Sequence, residues 1–225
     1  NSLPPNRIRH QASNNNRQKQ MPARSLLLMW GNPLNPNNQC NRPKIFSAVP
    51  PLSNIPERLY LTGYMGVGKS TIGRQLAKTL HYKFLDTDRL LVKEFGKPIR
   101  FIFRDEGEDV FRDAELTLLN TLATEKNAVI SAGGGTLIRE DTFAVAKSSG
   151  PIIYLQAPLE VLYERVIFSP KDRPMIDVPD PEAAFRKHFY EREAYYQRSD
   201  ITIETVNKSP TVIVQNIIDA LQALK

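Results

Sequence analysis

Residues Gly63-Tyr64-Met65-Gly66-Val67-Gly68-Lys69-Ser70 follow the pattern G-x-x-x-x-G-K-S. Glycines at this spacing let the backbone wrap an anion closely and aim N–H groups at phosphate oxygens. An apolar strand over 58–62 leads in, and Ile72, Leu76 and Leu80 lead out at helical spacing. Strand, loop and helix in this order are the context in which the pattern cradles a nucleoside triphosphate. The helix adds the positive end of its dipole. Lys69 is expected to reach the β- and γ-phosphates and Ser70 to ligate Mg²⁺. Gly66, Val67, Gly68 and Thr71 complete the expected nucleotide contacts.

Three further groups carry chemistry. Phe84-Leu85-Asp86-Thr87-Asp88 closes a second strand, and ligands of open parallel sheets collect at the carboxyl ends of strands. There Asp86 can hold a water on Mg²⁺, and Asp88 can accept or orient a proton of an acceptor hydroxyl. The competing reading makes Asp88 the N-cap of a helix over 89–95. Gly133-Gly134-Gly135 ends a third strand. Three glycines in a row cost chain entropy and make sense where backbone approaches a ligand, although a tight turn explains them too. Arg112, Arg173 and Arg192 are bidentate donors suited to carboxylates and phosphates. Arg173 lies in a polar stretch with Pro170, Pro174 and Pro179, where a lid is expected. Arg192 sits among Arg186, Lys187, Glu191 and Glu193, and periodicity alone does not single it out.

The elements that position these residues alternate. Strands are expected over 58–62, 83–85, 128–132, 151–156 and 201–205, and helices over 69–80, 89–95, 107–123, 140–147, 159–166, 181–198 and 210–224. Such alternation implies a parallel sheet covered on both faces.

Composition limits the alternatives. The chain has 225 residues, enough for one domain with a core. Its net charge of +6 is unevenly spread. Residues 1–56 hold seven basic residues and no acids, so the remainder carries 23 basic against 24 acidic residues, a net of −1. The basic balance is therefore no argument for a nucleic-acid partner. The one cysteine, Cys40, permits no internal disulfide and fits a reducing compartment. His10, His81 and His188 lack metal-ligand spacing and are expected on surfaces or helix faces. No apolar run reaches the ~20 residues of a membrane span. Residues 1–56, rich in Asn, Pro, Gln and Ser, are expected to be a disordered extension. An acid-free leader of this kind also reads as an organelle transit peptide or as sequence outside the working protein.

Residues 57–225 resemble the shikimate kinase family. The matching motifs are Gly63–Thr71 (GYMGVGKST), Phe84–Asp88 (FLDTD), Ile99–Glu115 (IRFIFRDEGEDVFRDAE), Ala132–Gly135 (AGGG), Arg173-Pro174 and Arg192–Tyr196 (REAYY). The resemblance implies an α/β P-loop NTPase-type three-layer sandwich, with a central five-stranded parallel sheet and a mobile lid. It implies phosphoryl transfer from ATP to the 3-hydroxyl of shikimate, with Mg²⁺, in aromatic amino-acid biosynthesis. Asp88, Arg112, Gly134 and Arg192 would bind shikimate. Lys69, Asp88 and Arg173 would be catalytic, and Arg173 and Lys208 would touch ATP. A further lid arginine common in the family is replaced here by the stretch Ile167–Lys171, which leaves the residue over the adenine undetermined. The expected working unit is a cytoplasmic monomer, or a plastid protein where the extension acts as a transit peptide, with no nucleic-acid or membrane partner. The alternatives are a P-loop kinase for gluconate or a nucleotide, and a non-catalytic module of the same fold.

Overall fold

The computed structural model describes residues 54–169 and 178–224. The chain divides into two units, Asn1–Ala48 and Val49–Lys225, and every described residue belongs to the second. The expected lid and Arg173 fall mainly within 170–177, outside the described residues, as do residues 1–53.

Five parallel strands form one sheet. They are β1 (Arg58–Thr62), β2 (Lys83–Asp86), β3 (Ala128–Ser131), β4 (Ile152–Gln156) and β5 (Ile201–Glu204), in spatial order β2-β3-β1-β4-β5. The register pairs Leu59 with Val129 and Leu61 with both Ser131 and Ile153. Among the described residues eight helices connect and cover the strands: α1 (Lys69–Leu80), α2 (Thr87–Phe95), α3 (Ile99–Asp105), α4 (Glu108–Leu122), α5 (Glu140–Ser149), α6 (Leu159–Ile167), α7 (Pro181–Tyr196) and α8 (Pro210–Ala223).

The layering follows from side-chain alternation along buried strands. Leu59 and Leu61 enter one core with Leu76 of α1 and Ile217 of α8. Tyr60 between them enters the opposite core with Leu119 of α4 and Ala146 of α5. Helices on both faces leave β1 buried from Leu59 to Thr62, whereas edge strand β5 alternates buried and exposed residues. Truncating a fully buried residue such as Leu76 to alanine costs about 2–5 kcal/mol. Among the described residues no helix is long and apolar enough to cross a membrane.

Three details differ from the sequence-based expectations. The cap of α2 is Asp86, whose carboxylate accepts from the Arg89 N–H at 3.2 Å. Asp88 instead lies in the first turn, because Asp86 already satisfies the free amide. The short helix α3 was not anticipated. Pro98 occupies its N-cap, and within it only Ile102 is buried, so seven residues carry no periodic signal. Finally, Ile55 already packs against the core, and the Glu57 carbonyl accepts from the Ala128 N–H at 2.8 Å. Packed structure thus begins before the expected boundary at Glu57.

Candidate active site

The sheet order reverses its winding at β1, and the loops leaving β1, β2 and β3 open on one side. They bound a cleft of about 530 Å³. Its wall includes Gly66, Gly68, Lys69, Ser70 and Thr71 of the first loop. Asp86, Asp88, Arg112, Gly134 and Arg192 line it as well.

The first loop owes its path to glycine. Gly68 is the N-cap of α1 in the left-handed region at φ 102, and Gly66 has φ 83. Side-chained residues would be strained at both positions. The α1 amides thereby face the cleft without a side-chain cap competing for them. Lys69 Nζ donates to the carbonyls of Gly63 (2.6 Å) and Tyr64 (3.2 Å). The ammonium is thus held over the loop. Ser70 Oγ donates to Asp86 Oδ2 at 2.9 Å, which brings a hydroxyl and a carboxylate together beside the loop. Val67 is buried in the core rather than in the cleft wall, so only its backbone is available to a nucleotide.

Asp88 lies where β2, α2 and the glycine turn meet. Thr87 fastens this junction, because its hydroxyl accepts from Gly133 N–H at 2.9 Å. A Cβ on Gly133 would lie 2.3 Å from Asp88 Oδ1, so only glycine admits the carboxylate there. Burial pushes the Asp88 carboxyl up to about 6. Lys69 opposes that rise, Asp86 and Glu115 add to it, and Arg112 opposes it. A carboxylate tuned toward neutrality, pointed into a polar cleft, suits a proton acceptor.

Arg112 projects from α4 and is held by two carboxylates. Its Nη1 donates to Glu115 at 2.6 Å, and its Nη2 to Glu108 at 2.9 Å. Glu115 is only 2% exposed and also accepts from the Thr136 hydroxyl at 2.5 Å. Burial works against the Arg112 charge, but Glu115 and then Glu108 hold the guanidinium above its ordinary value. A Cβ on Gly135 would come 2.9 Å from Arg112 Nη1. Two glycines of the turn therefore make room for the site's own charged groups. Phe103 and Phe111, edge-to-face at 4.8 Å, flank the guanidinium and give the cleft an apolar wall.

Arg192 reaches the cleft from α7. Tyr196, one turn on, donates to the Gly134 carbonyl at 2.6 Å and stacks on Tyr154 at 5.4 Å. Burial and then the neighbouring Arg192 act on the Tyr196 phenol in opposite directions, and burial wins, raising it.

The structure thus gathers Gly66, Gly68, Lys69, Ser70, Thr71, Asp86, Asp88, Arg112, Gly134 and Arg192 in one cleft. Lys208 is exposed on the loop after β5 and does not line it. Arg173 lies outside the described residues. Sequence reasoning missed Glu115, Tyr64 and His188 as site residues. His188 lies on a helix face, as expected, but that face is half-buried in the cleft wall and its ring is bonded to Tyr64. A signal was present: Phe185, His188, Phe189, Arg192 and Tyr196 recur at helical spacing, an aromatic face interrupted by two polar residues. Among the described residues no group of three or more His, Cys, Asp or Glu forms a metal site by itself.

Known proteins resemble this chain over most of its described length. The family model for shikimate kinase matches residues 65–222. A shikimate kinase of Caldanaerobacter subterraneus subsp. tengcongensis is 38% identical over 169 residues, spanning 75% of this chain and 98% of its own. One from Neisseria meningitidis serogroup C is 40% identical over 162 residues, 72% of this chain and 95% of its own. Among solved structures, shikimate kinase from Acinetobacter baumannii in complex with shikimate superimposes with a TM-score of 0.71. It is 34% identical and covers 76% of this chain and 97% of its own. With the loop, the acidic pair, the glycine turn and both arginines in place on this sheet, the chain belongs to the shikimate kinase family.

Proposed function

We propose that this chain phosphorylates shikimate in the cleft, with ATP on the loop Gly63–Ser70 and the acceptor between Asp88, Arg112, Gly134 and Arg192. The observation that carries the assignment is the meeting of Asp88 and two arginines with Lys69 and Ser70 in one cleft. The shikimate-bound relative supports the choice of acceptor.

In this scheme Arg112 and Arg192 receive the acceptor carboxylate, each as a planar donor pair. Asp88 takes the hydroxyl proton as that oxygen forms its bond to the γ-phosphorus and the bond to the β-phosphate oxygen breaks. Lys69 exchanges its loop carbonyls for phosphate oxygens, and the loop amides and α1 dipole stabilise the same charge. Ser70 and Asp86 fit Mg²⁺, being hard oxygen donors already paired at 2.9 Å, with Asp86 acting through water. The metal would neutralise charge on the β- and γ-phosphates. Arg173 and Lys208 complete the nucleotide contacts in this proposal, and residues 57–225 carry the activity, with residues 1–56 as an extension of which Ile55 packs against the core. The working unit is a monomer in the cytoplasm, with plastid import as the alternative for a chain that uses the extension as a transit peptide.

A coupled ADP-release assay offering shikimate, gluconate and nucleoside monophosphates tests the acceptor. Turnover with shikimate alone is expected; turnover confined to another acceptor refutes the proposal. Light scattering and localisation of the tagged full chain test the rest.

A further inference from the structure

Tyr64 belongs to the phosphate loop, yet its side chain leaves the cleft. It is 1% exposed and packs edge-on against Phe185 at 5.0 Å and Phe189 at 5.2 Å. Its hydroxyl lies 2.7 Å from His188 Nδ1 and donates toward the Phe185 carbonyl at 3.3 Å. All three partners are on α7, the helix that carries Arg192. The backbone of the same tyrosine faces the other way, since its carbonyl accepts from Lys69 Nζ. One residue therefore touches both the lysine of the nucleotide site and the helix of the acceptor site.

The hydrogen bond is not needed to bury the ring. Phenylalanine and leucine at positions 64 and 188 would keep the apolar packing and avoid a buried polar pair. What the polar pair adds is direction. Aromatic contacts tolerate a small rotation of α7 about its axis, whereas a 2.7 Å hydrogen bond does not. His188 and Arg192 are four residues apart, on one helix face and ~6 Å apart along the axis, and both line the cleft. Burial, with Arg192 nearby, pushes the His188 imidazole down to about 4, so near neutral pH the pair is uncharged and does not repel the arginine.

We propose that the Tyr64–His188 hydrogen bond is a strut that fixes the rotation of α7 and thereby the reach of Arg192. Tyr64 and His188 are then positioning residues for the acid acceptor. The inference rests on the assignment of Arg192 to the acceptor carboxylate. Misplacement of a binding group by about 1 Å can cost up to ~10²-fold in an enzyme site, so a loosened helix has a measurable effect.

The test uses the full chain with Tyr64→Phe, His188→Leu, their combination and His188→Asn. Steady-state kinetics give KM for shikimate and for ATP, and calorimetry gives the shikimate Kd without nucleotide. Each single change is expected to raise shikimate KM and Kd about 5-fold, which is ~1 kcal/mol. ATP KM should stay within about twofold. The double variant should match Tyr64→Phe at about 5-fold rather than multiply to ~25-fold, because His188→Leu removes only a bond that Tyr64→Phe also removes. His188→Asn restores a polar partner and should recover most of the loss. Unchanged acceptor affinity, multiplying effects, or a change confined to ATP KM overturns the strut. Tyr64→Phe keeps the ring packing, so it decides the matter even where His188→Leu fails to fold. Wild type that fails to use shikimate refutes the acceptor assignment, whereas active wild type with unchanged variants refutes the strut alone.

Discussion

Asp88→Asn separates catalysis from stability in one substitution. Burial holds the Asp88 carboxyl near 6, against 3.8 for a free side chain. The unfolded chain therefore ionises this group more readily than the folded one. Its contribution to stability is fully present below the unfolded value and is lost as pH rises through about 6. The whole shift corresponds to about 3 kcal/mol, and solvent access to the cleft reduces this to about 1–2 kcal/mol. Asparagine cannot ionise, so it escapes that cost. Asp88→Asn should raise Tm by about 2–8 °C at pH 8, and the advantage should shrink toward zero as pH falls to 4. At the same time kcat should fall by roughly 10²-fold or more if Asp88 receives the proton. The wild-type kcat/KM for shikimate should decline below about pH 6 as free Asp88 protonates. Differential scanning calorimetry at several pH values and initial-rate kinetics measure these outcomes. A Tm difference that does not depend on pH would refute the burial argument, and near-wild-type kcat would remove Asp88 from the proton-transfer role.

Other substitutions test the remaining geometry. Arg112→Ala should raise KM for shikimate by about 10–100-fold, the worth of a charged hydrogen bond. It should also cost stability by about 3–5 kcal/mol, because Glu115 loses its buried partner. Arg192→Ala should raise the same KM without a comparable drop in Tm, and an effect confined to ATP KM contradicts both assignments. Gly133→Ala places a methyl group 2.3 Å from Asp88 Oδ1 and pushes the carboxylate aside, so kcat should fall with little change in nucleotide affinity measured by calorimetry. Unchanged kcat would mean that the carboxylate can sit elsewhere. Ser70→Ala should raise the Mg²⁺ concentration for half-maximal rate, and an unchanged metal dependence would remove Ser70 from the metal site.

Much of the scaffold was legible because it rests on local rules. Alternating apolar strands and amphipathic helices marked the five strands and seven of the eight helices among the described residues. The phosphate loop was legible for the same reason, since glycine spacing, an entering strand and a following helix lie contiguously in the chain. Helix α3 escaped because seven residues with one buried side chain carry no period. Its position depends on packing against Leu91 and Phe111 instead.

The site was legible in its residue types and less so in its contacts. From the motifs alone, Asp88 could cap a helix and the triple glycine could be a bare turn. The tertiary structure assigned the cap to Asp86 and showed Gly133 and Gly135 leaving space for Asp88 and Arg112. Glu115 became a site residue once folding buried its carboxylate beside Arg112. His188 lay 124 residues from Tyr64 in the chain, and no local pattern links them. The amino-acid sequence by itself determined the sheet-and-helix alternation, the phosphate loop and the charged residues available for chemistry, because these follow from neighbouring residues. Only the tertiary structure decided which charges face one another, because desolvation and hydrogen-bond geometry act between segments that the chain keeps far apart.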